Sequence, residues 1–187
     1  PTTVTTLTTT SHSNPTQLTK VDLFTVSVFH FNVSEWSESR DRILGMIPET
    51  NNAEKHIKYT DYFEFKTSVG APEYQDEVIK VVEPYLSEFY NIAEYKFKGI
   101  ANMWCQKYSA RDYHIPHDHG CMGYSCVLYA KMNAEHPSTL FFSPFNDETG
   151  THQCSSFPCS EGDMVIFPSN LMHMAPPHDS EEERVII

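Results

Sequence analysis

The stretch Tyr108-Ser-Ala-Arg-Asp-Tyr113-His114-Ile-Pro-His117-Asp118-His119 places three of the chain's ten histidines within six residues. No other segment is as dense in metal-ligand side chains. His117 and His119 are two apart, so on an extended backbone both side chains leave the same face. Two neutral imidazoles on one face can hold a divalent ion when a third ligand arrives from elsewhere. The candidate is His173, which ends Phe167-Pro-Ser-Asn-Leu-Met-His173. Asp118 then points to the opposite face and is not counted as a ligand. His114 is an alternative third ligand, but its spacing of three from His117 fits a strand poorly.

Outward from this stretch the texture is that of short strands. Strand-like runs cover 97–108, Tyr124–Ala130, Thr139–Phe142, Met164–Phe167 and Arg184–Ile187, separated by clusters of Gly, Pro, Asn and Asp. Gly162-Asp163 before Met164-Val-Ile-Phe is a turn leading into a strand. Before residue 97 the pattern differs. Val21–Val33 reads as a strand, with Val26, Val28 and Phe24 alternating with polar neighbours. Ser34 reads as the N-cap of a short helix through Trp36, Ile43, Leu44 and Ile47, stopped at Pro48. Tyr59, Phe63 and Phe65 suggest a strand in the ambiguous stretch 50–70. A helix opens at Pro72, with Val78, Val81, Val82, Leu86 and Phe89 at helical spacing and Pro84 expected to kink or split it. Helices first and many short strands afterwards indicate an α+β, mainly β chain whose core is an antiparallel sandwich or barrel.

At 187 residues the chain suits one domain. Residues 1–20 are nearly a Thr/Ser tract and read as a disordered arm. Residues 21–187 then form the domain, with helical support over 34–95 and the metal-binding core over 96–187. The start at Pro1 suggests a processed or trimmed end. Aromatics make up 13% of the chain, in keeping with a folded, β-rich protein. A formal net charge of −12 argues against nucleic acid and against anionic membrane surfaces as partners. No apolar run is long enough to span a bilayer, and no secretory signal pattern opens the sequence. The five cysteines (105, 121, 126, 154, 159) are odd in number and contain no C-x-x-C, so we read reduced thiols and a cytoplasmic setting. Cys154 and Cys159 either bridge or sit unpaired in a loop.

From about residue 100 onward the sequence resembles the iron(II)/2-oxoglutarate-dependent oxygenases, and within them the prolyl-hydroxylase-related oxygenases of bacteria and phages. The residues that carry the resemblance are Trp104, Tyr108, His117-Asp-His119, Tyr124-Ser-Cys-Val-Leu-Tyr129 and Leu140-Phe-Phe. They continue with Gly162-Asp-Met-Val-Ile-Phe-Pro-Ser169, Leu171-Met-His173, Pro177 and Glu183-Arg184-Val-Ile. The resemblance implies a double-stranded β-helix, a jelly-roll or cupin-like core. It implies Fe(II) held by His117, His119 and His173, with 2-oxoglutarate as cosubstrate and room for ascorbate as an accessory reductant. His119 stands where most of the superfamily has Asp or Glu, and three-histidine sites also suit zinc. Arg184 matches the residue that pairs with the far carboxylate of 2-oxoglutarate, Tyr129 a residue whose hydroxyl touches that carboxylate, and Tyr108 a further candidate for the pocket wall. Relatives continue the last strand beyond Ile187, so a trimmed C-terminus is expected.

The implied reaction hydroxylates a C–H bond of a small-molecule or peptide substrate, peptidyl proline included, using molecular oxygen and releasing succinate and carbon dioxide. Oligomeric state has no signature in the residues. Two other readings stay open. One is a cupin-like three-histidine metalloenzyme without 2-oxoglutarate, and the other is a non-enzymatic metal-binding β-sandwich. A carbohydrate- or capsid-type jelly roll has no residue in its favour.

Overall fold

The computed structural model describes residues 4–8, 17–21, 25–50, 55–67, 70–94, 96 and 99–187. In the Thr-rich arm, two described segments are paired where disorder was expected: β1 (Val4–Thr8) and β2 (Gln17–Val21) form an antiparallel pair with Val4 opposite Val21. Threonine favours the extended backbone, which a partner strand can satisfy. The rest of the arm lies outside the described residues. The expected strand over Val21–Val33 shortens to β3 (Phe29–Asn32), and Phe24 lies outside the described residues.

The helix predicted after Ser34 is α1 (Trp36–Leu44), with Trp36 and Ile43 buried seven residues apart on one face. Ser34 does not cap it; Glu35 holds that position, and the Ser34 hydroxyl meets the Tyr85 hydroxyl instead at 3.1 Å. In the ambiguous stretch, Tyr59 does enter a strand, the short β4 (Tyr59–Thr60). Phe63 and Phe65 belong instead to α2 (Tyr62–Thr67). The next helix, α3 (Gln75–Ile92), starts three residues after Pro72 and runs unbroken past Pro84. Pro84 is exposed, so its ring and missing N–H disturb only the solvent side, while Val78, Val82 and Phe89 stay buried opposite.

Strands follow to the end: β5 (Gln106–Tyr108), β6 (His114–His117), β7 (Tyr124–Lys131), β8 (Leu140–Asn146), β9 (His152–Ser155), β10 (Asp163–Pro168), β11 (His173–Ala175) and β12 (Arg184–Ile186). The run expected over 97–108 contracts to its last three residues. β6, β9 and β11 had no counterpart among the predicted strands. Among the described residues two larger sheets result, one ordered β3-β10-β7-β12-β5-β4 and the other β6-β11-β8-β9, with antiparallel pairing throughout. This is the α+β, mainly β jelly roll of a double-stranded β-helix.

Side-chain alternation explains how the sheets stack. On β7, Leu128 and Ala130 join the helical core with Trp36, Ile43, Val78 and Phe89, while Tyr129 between them faces the other sheet. On β10, Met164 and Ile166 pack toward the helices, and Val165 and Phe167 pack inward with Phe141 of β8. A strand buried on both faces needs an unbroken apolar run, which Met164-Val-Ile-Phe supplies. The Trp36 indole N–H donates to the Ala130 carbonyl (3.0 Å), fixing α1 to β7.

Candidate metal centre

β11 lies between β6 and β8, and its register sets His173 directly opposite His117. That pairing brings the ends of two distant segments together. β6 stops at His117, so His119 does not share its strand as the sequence pattern implied. Its backbone N–H instead donates to the Ser169 carbonyl (2.8 Å), which ties the segment after β6 to the end of β10. Asp118 accepts from the Gly120 N–H (2.9 Å) and tightens the same turn.

One nitrogen each from His117, His119 and His173 lies within 4.8 Å of the others. The Nε2 atoms of His119 and His173 are 3.2 Å apart. Metal–nitrogen bonds of ~2.0–2.1 Å would separate two such ligands by ~3.0–3.4 Å. The opposite nitrogens are spoken for: Nδ1 of His117 faces the Ile115 carbonyl and Nδ1 of His173 the Leu171 carbonyl, each at 2.8 Å. A carbonyl only accepts, so both Nδ1 atoms carry the proton and both Nε2 atoms present a lone pair. This is the outer support that metal-binding imidazoles require.

Burial pushes the His119 and His173 imidazoles down to about 4, with the neighbouring His117 adding to the effect. Both are therefore neutral at physiological pH, the form a metal binds. Aromatic rings wall the group. The Trp104 ring lies 5.2 Å from that of His119, and the Phe167 ring 4.7 Å from that of His173. The three histidines open on a cavity of about 760 Å³ that reaches between the sheets.

His114 is close but stands apart from the three. Its ring is 4.0 Å from that of His117, its Nδ1 faces the Gln106 amide (3.4 Å), and burial lowers it to about 4. The Tyr108 hydroxyl donates to the Gln106 side-chain oxygen, so Tyr108, Gln106 and His114 form a polar chain along the cavity wall. Gln106 carried no signal in the sequence. It comes into view only because β5 runs alongside the cavity.

Arg184 and Tyr129 lie elsewhere; neither lines the cavity. The Arg184 guanidinium is buried and donates to the Pro137 carbonyl (2.7 Å) and the Pro176 carbonyl (2.9 Å), with its face 4.8 Å from the centre of the Tyr108 ring. Its Nε–H has no hydrogen-bond partner among the described residues. The Tyr129 hydroxyl donates to the Thr139 hydroxyl (2.9 Å) and accepts from the Thr139 N–H (3.0 Å). Of the three residues expected to meet 2-oxoglutarate, Tyr108 alone faces the cavity, and among the described residues no lysine or arginine lines it. All five cysteines are free, so Cys154 and Cys159 do not bridge; Cys154 sits in β9. Among the described residues, no helix is long and apolar enough to cross a membrane.

Comparison with known proteins places these observations. No curated protein sequence matches the chain. A crystal structure of a prolyl-4-hydroxylase from Pseudomonas putida aligns over 87% of this chain and 90% of its own, with a TM-score of 0.49 and 16% sequence identity. Residues 102–187, just under half of the chain, match the model of the family described as "Putative 2OG-Fe(II) oxygenase". The matched segment spans β5 to β12 and contains all three histidines. Over residues 102–187 the chain is thus similar to the putative 2OG-Fe(II) oxygenases.

Proposed function

We propose that this chain is a non-haem iron(II)- and 2-oxoglutarate-dependent dioxygenase that hydroxylates a small-molecule or peptide substrate. The observation that carries the proposal is the convergence of three imidazoles, two with their Nδ1 protons held by main-chain carbonyls, at the wall of a cavity. Three nitrogen donors, two from paired strands and one from the turn after β6, leave coordination positions for cosubstrate and oxygen, and so fit a catalytic ion better than a closed structural one. When bound, iron and 2-oxoglutarate supply the oxidising chemistry.

The protein's own contribution is placement and shelter. His117, His119 and His173 would hold the ion. Phe167 and Trp104 flank the imidazoles and exclude water from them. Tyr108, Gln106 and His114 offer neutral hydrogen-bonding groups to whatever occupies the cavity beside the ion. Arg184 would anchor the far carboxylate by exchanging one of its two carbonyl acceptors for a carboxylate oxygen, a stronger, charge-assisted bond. Tyr129 would support that arrangement from behind. No general base is required, and none is assigned.

A second reading draws on the cavity wall. Among the described residues the wall has no lysine or arginine, and both terminal nitrogens of Arg184 already have partners. Those facts favour a three-histidine metalloenzyme that does not use 2-oxoglutarate. One experiment separates the two readings: load the protein with iron(II) without oxygen, admit oxygen with 2-oxoglutarate, and measure succinate. Succinate above the metal-free control is the expected result. Stoichiometric iron with no succinate would exclude the cosubstrate and leave the second reading.

A further inference from the structure

We propose that His30, Cys159 and Asp163 form a second divalent-metal site that takes zinc and staples edge strand β3 and the loop before β10 to the main sheet. One ligand atom from each of the three lies within 4.8 Å of the other two. His30 Nε2 is 3.2 Å from Asp163 Oδ2. The sheet register explains the meeting. Asp163 pairs with Asn32 and Val165 with His30, so His30 and Asn32 share a face of β3 beside the first residue of β10.

Cys159 arrives from the turn that precedes this strand. Its N–H donates to the Ser138 hydroxyl (2.9 Å), and the Ser160 N–H donates to Asp163 Oδ2 (2.8 Å). The Asn32 side-chain amide donates to Asp163 Oδ1 (2.9 Å) and orients the carboxylate, as outer partners of metal ligands do. One sulfur, one nitrogen and one oxygen donor suit zinc, with bonds of ~2.3 Å to sulfur and ~2.0–2.2 Å to nitrogen and oxygen. Tetrahedral geometry puts such ligands ~3.3–3.7 Å apart, so no leg has to close by more than about 1.5 Å on binding.

The thiol proton leaves to solvent as the sulfur–metal bond forms, and no atom changes oxidation state. Asp163 opens β10, and Phe167, which meets His173, stands four residues along it, so the two sites are separated by ~13 Å of strand. Asp163 in an ordinary ion pair with His30 would leave the thiol uninvolved, and that difference can be measured.

Cobalt(II) replaces zinc and gives a thiolate-to-metal absorption band in the near ultraviolet only when sulfur is a ligand. The histidine triad has no sulfur, so its success or failure as an oxygenase site neither creates nor removes the band. Titration of the reduced full chain should give the band, saturating by two equivalents per chain because the histidine triad takes one cobalt without contributing to the band. Cys159→Ser should abolish it, His30→Ala should weaken cobalt at this site at least tenfold, and His173→Ala should leave it unchanged. Zinc should raise the melting temperature of His173→Ala protein but not of the double variant His173→Ala/Cys159→Ser. No band in the unmodified chain, or a band that survives Cys159→Ser, overturns the site; a band without the zinc-dependent rise in melting temperature overturns the staple.

Discussion

His117 and His173 each commit one nitrogen to a carbonyl two residues earlier in the chain, at Ile115 and Leu171. The same local device, repeated on two strands, aims both Nε2 atoms at one point. Replacing His173 with Ala removes the most buried of the three ligands. Iron stoichiometry is expected to fall from one per chain to near zero, and retention of iron by the variant would take His173 out of the site. At position 119, His119→Asp keeps a donor and restores the carboxylate usual in the superfamily. It should retain the metal, with anaerobic iron titration as the check; loss of all metal would mean that position 119 does not reach the ion.

Among the elements, β10 carries the most constraint. Its lead-in, Gly162, has φ +86°, and a Cβ there would sit 3.4 Å from Trp36 Cβ and Cδ1. Gly162→Ala therefore strains the backbone by about 1–2 kcal/mol and presses on the side chain that anchors α1 to β7. Urea denaturation should register that loss. On α3, Phe89 is buried with its ring against Phe29 (5.1 Å) and Tyr124 (4.9 Å). Phe89→Ala is expected to cost about 3–5 kcal/mol. Tyr124 also lines the cavity, so repacking there should disturb cosubstrate affinity as well as stability.

For the whole molecule, Arg184 joins pieces that no single element controls. From β12 it reaches the main chain at Pro137 and Pro176 and covers the Tyr108 ring of β5. Arg184→Ala leaves two carbonyls without donors, which costs about 3 kcal/mol. With iron stoichiometry unchanged, 2-oxoglutarate affinity should fall at least tenfold; equal affinity would make Arg184 a structural clamp alone.

Stability should depend on pH through the buried histidines. Burial lowers His114, His119 and His173 from 6.5 to about 4. Between those values the unfolded chain binds protons that the folded chain refuses. Their contribution is therefore complete above about pH 6.5 and is lost as the pH falls toward 4. The melting temperature of the metal-free protein should drop across that window, and a flat profile would contradict the burial of these rings.

The local pattern was legible where one residue's surroundings set its state. Alternating and continuous apolar runs placed β7 and β10, helical spacing placed α1 and α3, and the order His-x-His, strands, His, Arg pointed to the oxygenase superfamily. What local pattern could not carry was pairing. The three-residue β11 has no periodicity of its own and exists because β6 and β8 supply its hydrogen bonds. Its register sets His173 against His117, and Ser169 turns His119 inward. The partners of Arg184 and the meeting of His30, Cys159 and Asp163 likewise come from segments far apart in the chain. Short strands and side-chain clusters of this kind are held by contacts across the fold, and a linear reading contains only neighbours along the chain.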